Sequence, residues 1–313
     1  MKNGLDAIEG EIVDAGYVRR EGVYTKRDGY ADEHVSNFGI QWATFQRTQF
    51  DSATGTGATK MRLLEGSGWR EEDLRGALVL ELGSGAGRFT EVLLGLGCLV
   101  VSVELSDACY VNFKNNENAN LLLLKESLHE LPFGAGWFDY VLCYGVVQHT
   151  PDPLATYRVC VDNLKAGRGR VSTDQYLKRF LPPSPFRLPK YVWRPVTSRM
   201  EPSLLLALVS RYVPVYMGLD SVLVRYLPRR LSNLIRGCIP IPCWNYTGIP
   251  GVPQDKETLV EWAIMDTFDA LGARYDIPVT LSELRKLSKA LPLDDIQVRL
   301  GGNGVILNGI RKA

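Results

Sequence analysis

The sequence predicts an α/β fold: a seven-stranded, mostly parallel sheet with a terminal antiparallel hairpin, plus an inserted helical cap. An apolar run at residues 78–82 leads into three glycines at alternate positions and then an amphipathic helix, a pattern typical of a buried parallel strand and its crossover. A second apolar run, at residues 99–103, ends in an acid. Residues 295–300 and 305–310 alternate around a glycine-rich turn, which predicts the hairpin.

The composition is that of a soluble globular protein. Of the 313 residues, 45% are hydrophobic and 23% are charged, with a net charge of +1, so we expect one core with an accessory subdomain. The six cysteines form no C-x-x-C pair, which predicts reduced thiols, no metal site and a cytoplasmic location. Since no apolar run approaches about 18 residues, we expect no transmembrane segment.

The remaining elements follow from the apolar pattern. Residues 1–36 are polar and predict short strands or coil, from which His34 is a candidate to reach the site. Helices are expected at residues 59–75, 107–117, 153–164 and 257–271, and a last helix ends at residue 291. Strands are expected at residues 121–124, 137–144 and 171–176. Ser106 or Asp107, and Thr280 or Ser282, are candidate N-caps.

An aromatic-rich segment at residues 38–50 predicts a helix before the sheet. This helix caps the sheet, closes the ligand site as a lid, or does both. As a lid it would bring Gln41, Trp42 or Arg47 against the ligand.

The glycine loop favours one cofactor over another. A dinucleotide fingerprint needs its third glycine where Arg88 stands, and the Glu81 carboxylate would repel phosphate. S-adenosylmethionine carries an ammonium and a sulfonium and no phosphate, so the charges favour it. Arg88 is either a solvated first-turn residue or neutralises Glu81 or the cofactor carboxylate. Glu104, about 20 residues after the loop, suits two ribose hydroxyls.

At these residues the sequence resembles the class I S-adenosylmethionine-dependent methyltransferases. Residues 81–87 are similar to the first motif of that family, and Glu104 is similar to its ribose-binding acid. Residues 131–133 with 138–141 resemble the entry to the fourth strand. Residues 145–153 resemble the following loop in the small-molecule "type 11" branch, which includes ubiquinone and menaquinone methylases.

The resemblance implies a Rossmann-like core that binds S-adenosyl-L-methionine near the switch in strand order. It implies these cofactor-binding residues: Glu81, Gly83, Ser84, Gly85, Gly87, Arg88, Glu104, Leu105, Ser127, Leu128, Tyr144 and Gly145, with Gln41 and Trp42 from the lid. Two departures stand out. Ser127 replaces the usual acid near the adenine, and residues 165–170 replace the usual Lys-Pro-Gly-Gly turn.

About 80 residues intervene before the C-terminal part of the core. We divide the chain into an N-terminal segment with the lid helix (1–58), the cofactor-binding core (59–177), a helical cap (178–254) and the C-terminal part with the hairpin (255–313). Helical spacing occurs at residues 203–216 and 221–235.

The cap is strongly basic. Residues 178–236 contain eleven basic and two acidic side chains, which leaves the rest of the chain at −8. Four interpretations of these basic side chains stay open. They pack on the acidic core, bind an anionic acceptor, contact anionic lipid at a membrane surface, or bind RNA.

The residues for chemistry are fewer. His149 is the leading general base, because its loop follows the fourth strand and its ordinary pKa suits the task; alternatively it orders that turn. Asp266, Asp269 and Tyr275 are alternatives for orienting the acceptor or acting as base. We predict an S-adenosylmethionine-dependent methyltransferase that acts on a small molecule. Oxygen is favoured over nitrogen or carbon as the methylated atom, and an anionic or phosphorylated acceptor is one option. The alternatives are an RNA methyltransferase and a non-catalytic cofactor-binding protein; neither DNA binding nor an oligomeric state is predicted.

Overall fold

The computed structural model describes residues 3–27, 36–178, 190–228, 231–232, 235, 242–249, 252 and 255–313. His34 and five basic residues of the cap lie outside the described residues: Arg179, Arg187, Arg229, Arg230 and Arg236. The boundaries of the four predicted units stay predictions.

The strands of the described chain form one sheet. They are β1 (Tyr17–Arg20), β2 (Val23–Lys26), β3 (Leu78–Leu82), β4 (Leu99–Glu104), β5 (Leu121–Lys125), β6 (Tyr140–Cys143), β7 (Arg170–Gln175), β8 (Leu293–Gly301) and β9 (Gly304–Arg311). Their spatial order is β1-β2-β5-β4-β3-β6-β7-β9-β8. The five central strands are parallel, and β9 is antiparallel to β7 and β8. The predicted seven strands and terminal hairpin are confirmed, and β1 and β2 extend the sheet to nine.

Helices cover both faces of the sheet. They are α1 (Asn3–Asp14), α2 (Ser36–Thr44), α3 (Asp51–Thr54), α4 (Ala58–Ser67), α5 (Glu71–Leu74), α6 (Arg88–Gly95), α7 (Ala108–Asn116), α8 (Pro153–Asp162), α9 (Lys190–Thr197), α10 (Pro202–Tyr226), α11 (Lys256–Gly272) and α12 (Leu281–Ser288). Successive residues of β3 point to opposite faces. Leu80 therefore packs in one core cluster and Val79 in the other, and the strand is buried throughout.

The N-terminal segment departs from the prediction of strands or coil alone. Short strands are present, and β2 pairs in parallel with the edge strand β5. The helix α1 was missed, although Leu5, Ile8 and Ile12 have helical spacing and are buried. Three apolar residues among polar ones give a weak periodic signal until the core that receives them is known.

The N-terminus of α12 carries a capping box. Glu283 N donates to Thr280 Oγ1 over 3.1 Å, and Thr280 N donates to Glu283 Oε2 over 2.8 Å. We expect Thr280→Ala to lower the free energy of unfolding by about 1 kcal/mol, because one helix N–H loses its acceptor. Urea denaturation measures the loss. Ser282→Ala, at the other cap candidate, is the control and should change stability by less than about 0.5 kcal/mol; equal losses would contradict the assignment.

Within the described residues of the cap, the first predicted helix and the start of the second form one continuous helix, α10. The predicted break falls near Gly218 and Asp220, yet α10 continues through it and through Pro214. Asp220 is buried and accepts a hydrogen bond from Asn245 over 2.7 Å. This tertiary contact supports a helix that local sequence preference interrupts.

The same helix qualifies the expectation of no transmembrane segment. Residues Pro202–Leu223 are long and apolar enough to cross a bilayer by length and composition, with a mean hydropathy of 1.3. The prediction counted uninterrupted apolar runs, which Arg211 and Asp220 break. One such helix is weak evidence for a span, because core helices also meet this test.

Candidate functional site

A cavity of about 1630 Å³ opens at the carboxyl ends of the central strands, with residues of α2, α9 and α11 also on its wall. Fifteen of the seventeen residues predicted for the site line it: Gln41, Trp42, Gly83, Ser84, Gly85, Arg88, Glu104, Leu105, Ser127, Leu128, Tyr144, Gly145, His149, Asp266 and Tyr275. Glu81 and Gly87 do not. Arg47 is exposed, donates to Ser52 and is also absent from the wall.

The backbone of the glycine loop after β3 allows other groups to lie close to it. Gly83 and Gly85 have φ angles of +74° and +54°, a region that favours glycine. A Cβ on Gly85 would lie 2.8 Å from Nε1 of Trp42. The helix α2 therefore lies directly against the loop at Trp42, and contact of Trp42 with a ligand stays a prediction.

Gly87 serves packing between helices. A Cβ there would lie 2.1 Å from Oδ1 of Asn112 on α7, and Asn116 donates to the Gly87 carbonyl over 2.9 Å. The structure thus gives Gly87 an internal role and places it away from the cavity wall.

Glu81 lies buried beneath the loop. Its Oε2 accepts from Thr90 over 2.6 Å and from Ser102 over 2.8 Å. Its Oε1 is buried without a hydrogen-bond partner among the described residues. Burial raises the pKa of Glu81 to about 7. The carboxyl group therefore faces the strand and helix interior, and direct contact with a cofactor ammonium is not part of this geometry.

Glu104 holds the loop from the end of β4. Its Oε2 accepts from Gly85 N over 2.9 Å, and its Oε1 accepts from Ser106 N and Oγ over 2.9 and 2.7 Å. A carboxylate has about four lone-pair sites, so one remains for a ligand hydroxyl. A second hydroxyl can bind if the Ser106 side chain rotates away.

An acid that the sequence analysis did not assign to the site lies beside Ser127. Ser127, Leu128 and Glu126 all line the cavity wall. Oε2 of Glu126 accepts from Tyr17 and pairs with Lys26 over 2.9 Å, while its Oε1 accepts from Ser127 N over 2.7 Å. Because these donors occupy the carboxylate, Ser127 is the freer polar group. The position of Glu126 directly after a buried strand was the available sequence signal.

Arg88 and Arg62 are two of the arginines that line the cavity. Arg88 donates to Gln49 and lies 4.9 Å above the Phe89 ring, and burial lowers its pKa to about 10. Arg62 on α4, which was not predicted, pairs with Asp174 on β7 over 2.6 Å. No local pattern identifies the Arg62–Asp174 pair, because 112 residues separate its members.

His149 lies in a short 3₁₀ turn and is held by a distant loop. Its Nδ1 lies 2.9 Å from the carbonyl oxygen of Tyr275. A carbonyl only accepts, so Nδ1 carries the proton and the neutral ring has its lone pair on Nε2. That Nε2 lies 3.8 Å from Oδ2 of Asp269, and this oxygen accepts a hydrogen bond from the Tyr176 hydroxyl over 2.9 Å. The structure thus joins His149, Asp269 and the Tyr275 backbone, all candidates from the sequence.

Asp266 forms a second polar group on the same wall. Tyr246 donates its hydroxyl to Oδ2 of Asp266. Burial raises the pKa of Asp266 to about 6. Tyr275 lines the cavity, and its carbonyl oxygen lies 2.9 Å from Nδ1 of His149.

Comparison with known proteins covers the same part of the chain. Residues 80–169 match a family model described as a methyltransferase domain. Ubiquinone biosynthesis O-methyltransferases are 32% identical over 98 residues in Xanthomonas campestris pv. campestris and 29% over 97 residues in Coxiella burnetii. Each match covers 30% of this chain, and 41% and 42% of the relative respectively. The chain thus spans less than half the length of these curated relatives.

A solved structure is similar over more of the chain. The 1,6-didemethyltoxoflavin-N1-methyltransferase of Burkholderia thailandensis is 14% identical, with a TM-score of 0.45, and the match covers 93% of this chain and 95% of that one.

The matched residues 80–169 include the glycine loop, Glu104 and the loop that carries His149. These are the residues on which the resemblance in the sequence depends, and the resemblance is confirmed. Residues 80–169 thus form a methyltransferase domain, and this domain is similar to those of the class I S-adenosylmethionine-dependent methyltransferases.

Proposed function

We propose that the protein transfers a methyl group from S-adenosylmethionine to a hydroxyl oxygen of a small molecule. One observation carries the proposal: the glycine loop, Glu104 and His149 line the same cavity. The ring of His149 is held so that Nε2 can accept a proton. Glu104 has a lone pair for a ribose hydroxyl, and the loop lacks the Cβ atoms that would keep a ligand away. Gln41 of the lid adds a buried oxygen, Oε1, without a hydrogen-bond partner among the described residues. An acceptor atom there suits the amino groups of the cofactor.

For methyl transfer the protein needs to position the two reactants and to accept the proton of the acceptor hydroxyl. When bound, the cofactor supplies an electrophilic methyl on sulfonium, and its thioether is the leaving group. The acceptor oxygen forms the new C–O bond as the C–S bond breaks. Nε2 of His149 takes the hydroxyl proton, and the Tyr275 carbonyl keeps the ring oriented. Asp269, 3.8 Å away, stabilises the imidazolium that forms.

The acceptor that suits this cavity is bulky and largely apolar. Aromatic residues from four parts of the chain line the wall, among them Phe38, Tyr144, Tyr191 and Trp262. Lys178 and the exposed Arg274 also line it and suit an anionic group on the acceptor. The name of the curated relatives, which are O-methyltransferases, supports oxygen as the methylated atom.

We place this activity in the cytoplasm, since the five described cysteines are free thiols. Peripheral contact of the basic cap with a membrane is compatible with it, because an apolar acceptor partitions into lipid.

The first test is calorimetric titration with S-adenosylhomocysteine. We expect micromolar binding, and Glu104→Ala should weaken it by about 1–3 kcal/mol, because ribose hydroxyls and loop amides lose a charged acceptor. The matched control is Asp107→Ala, three residues along, where the side chain is 74% exposed and outside the cavity wall. No binding of this ligand, together with binding of NADH, would sink the proposal.

Transfer of labelled methyl to a cell extract then separates the alternatives. Label in the organic-soluble fraction supports a small-molecule acceptor. Label in RNA, with strongly salt-dependent affinity, would indicate an RNA methyltransferase. Binding of the cofactor product with no transfer to any fraction would indicate a non-catalytic protein.

A further inference from the structure

One side of α10 presents apolar side chains to solvent. These side chains are between 44% and 70% exposed: Leu204, Leu208, Val215, Leu219, Val222 and Tyr226. Their spacing of three, four or seven residues places them in one stripe along the helix, which we call the α10 apolar face. Water-exposed apolar stripes of this length mark interaction surfaces.

The opposite side of α10 is already used by the fold. Leu205, Val209, Val213 and Met217 are buried in a core cluster with α11 residues such as Phe268. A helix that spans a bilayer alone would have lipid on all sides. Since α10 is fixed to the protein along one side, its free face fits contact with a surface rather than a span.

The charges of this face have one sign. Between Pro202 and Tyr226 the exposed charged residues are Arg211 and Arg225. The acid within the helix, Asp220, is buried and bonded to Asn245. Arg211 lies within the stripe itself, three residues after Leu208 and four before Val215, and Arg225 lies at its edge. Apolar side chains with arginines among them complement a surface with an apolar interior and anionic headgroups.

The preceding helix also exposes apolar side chains. On α9, Val192, Trp193 and Val196 are 44% to 64% exposed. Tyr191, next to them, is 40% exposed and also lines the cavity. Exposed tryptophan and tyrosine side chains are typical of groups at the membrane–water interface.

We propose that the α10 apolar face docks the protein on membranes that contain anionic lipid. In this pose α10 lies in the plane of the interface, its apolar residues enter the acyl boundary, and Arg211 and Arg225 contact lipid phosphates. The cavity then opens near the bilayer through Tyr191, so that a lipid-dissolved acceptor enters without crossing water. This purpose rests on the proposed function, whereas the docking itself does not.

Co-sedimentation with vesicles tests the docking. The vesicles are phosphatidylcholine alone and an equimolar mixture with phosphatidylglycerol. We expect binding to the mixed vesicles and weaker binding to phosphatidylcholine. The double variant V215E/L219E, which puts two carboxylates in the middle of the face, should lower the affinity at least about tenfold. Val13→Glu is the matched control, because Val13 is an equally exposed apolar residue, 52%, on α1.

A second variant and two controls keep the outcomes distinct. R211A/R225A should weaken binding to the mixed vesicles and leave the weak binding to phosphatidylcholine unchanged. Circular dichroism and S-adenosylhomocysteine affinity, measured on the same samples, report whether each variant is folded and whether the proposed cofactor site works. The docking proposal is overturned if the wild-type protein binds neither kind of vesicle. It is also overturned if V215E/L219E binds the mixed vesicles as tightly as wild type does. A wild-type dimer that V215E/L219E converts to a monomer without any vesicle binding would assign the face to self-association, which also overturns it.

Discussion

Replacing His149 by alanine is expected to lower kcat by about 10²- to 10⁴-fold, the contribution of a positioned general base. The affinity for S-adenosylhomocysteine should change little, because His149 contacts Tyr275 and Asp269 rather than the glycine loop. Single-turnover transfer to the acceptor found in extracts measures the first quantity, and calorimetry measures the second.

Two further measurements distinguish a base from a residue that only orders its loop. Added imidazole should restore part of the rate in His149→Ala, because a small base can occupy the space left by the ring. His129→Ala is the matched control: His129 also lines the cavity but is exposed, so its replacement should leave kcat near wild type. A His149→Ala enzyme with wild-type kcat would remove His149 from the mechanism.

The second large effect concerns stability and pH at Glu81. Burial raises the pKa of Glu81 from 4.5 to about 7 in the folded protein. Between these values the unfolded chain binds fewer protons at this position than the folded one, so the free energy of unfolding falls as pH rises. The loss begins near the unfolded pKa, is complete above the folded pKa, and amounts to about 3 kcal/mol at 1.36 kcal/mol per pKa unit.

Glu81→Gln isolates this contribution. Its amide still accepts from Thr90 and Ser102 but does not ionise, so the fall in stability assigned to Glu81 should disappear. Urea unfolding of both proteins at pH 5 and pH 8 gives the difference in their pH slopes. Asp266, an acid on the cavity wall whose pKa is also raised, to about 6, is unchanged in both proteins. Parallel pH profiles for the two proteins would show that Glu81 is ionised at little cost.

The sequence by itself determined the framework, because the deciding signals are local. The apolar runs at β3, β4 and β5 and the glycine loop are contiguous patterns, and parallel strands bring their carboxyl ends to one edge of a sheet. Fifteen predicted residues therefore line one cavity, although they come from distant parts of the chain. The hairpin of β8 and β9 follows equally from alternation around its turn.

Only the tertiary structure decided which way side chains point and which distant groups meet. Glu81 ends up beneath the loop because Thr90 and Ser102 offer it hydrogen bonds there, and no motif records that direction. Arg62 pairs with Asp174, and His149 contacts the Tyr275 carbonyl, although more than 100 residues separate the members of each pair. The apolar face of α10 likewise exists because α11 covers one side of that helix and leaves the other in solvent. Local patterns specify elements, whereas burial and pairing depend on what packs against them.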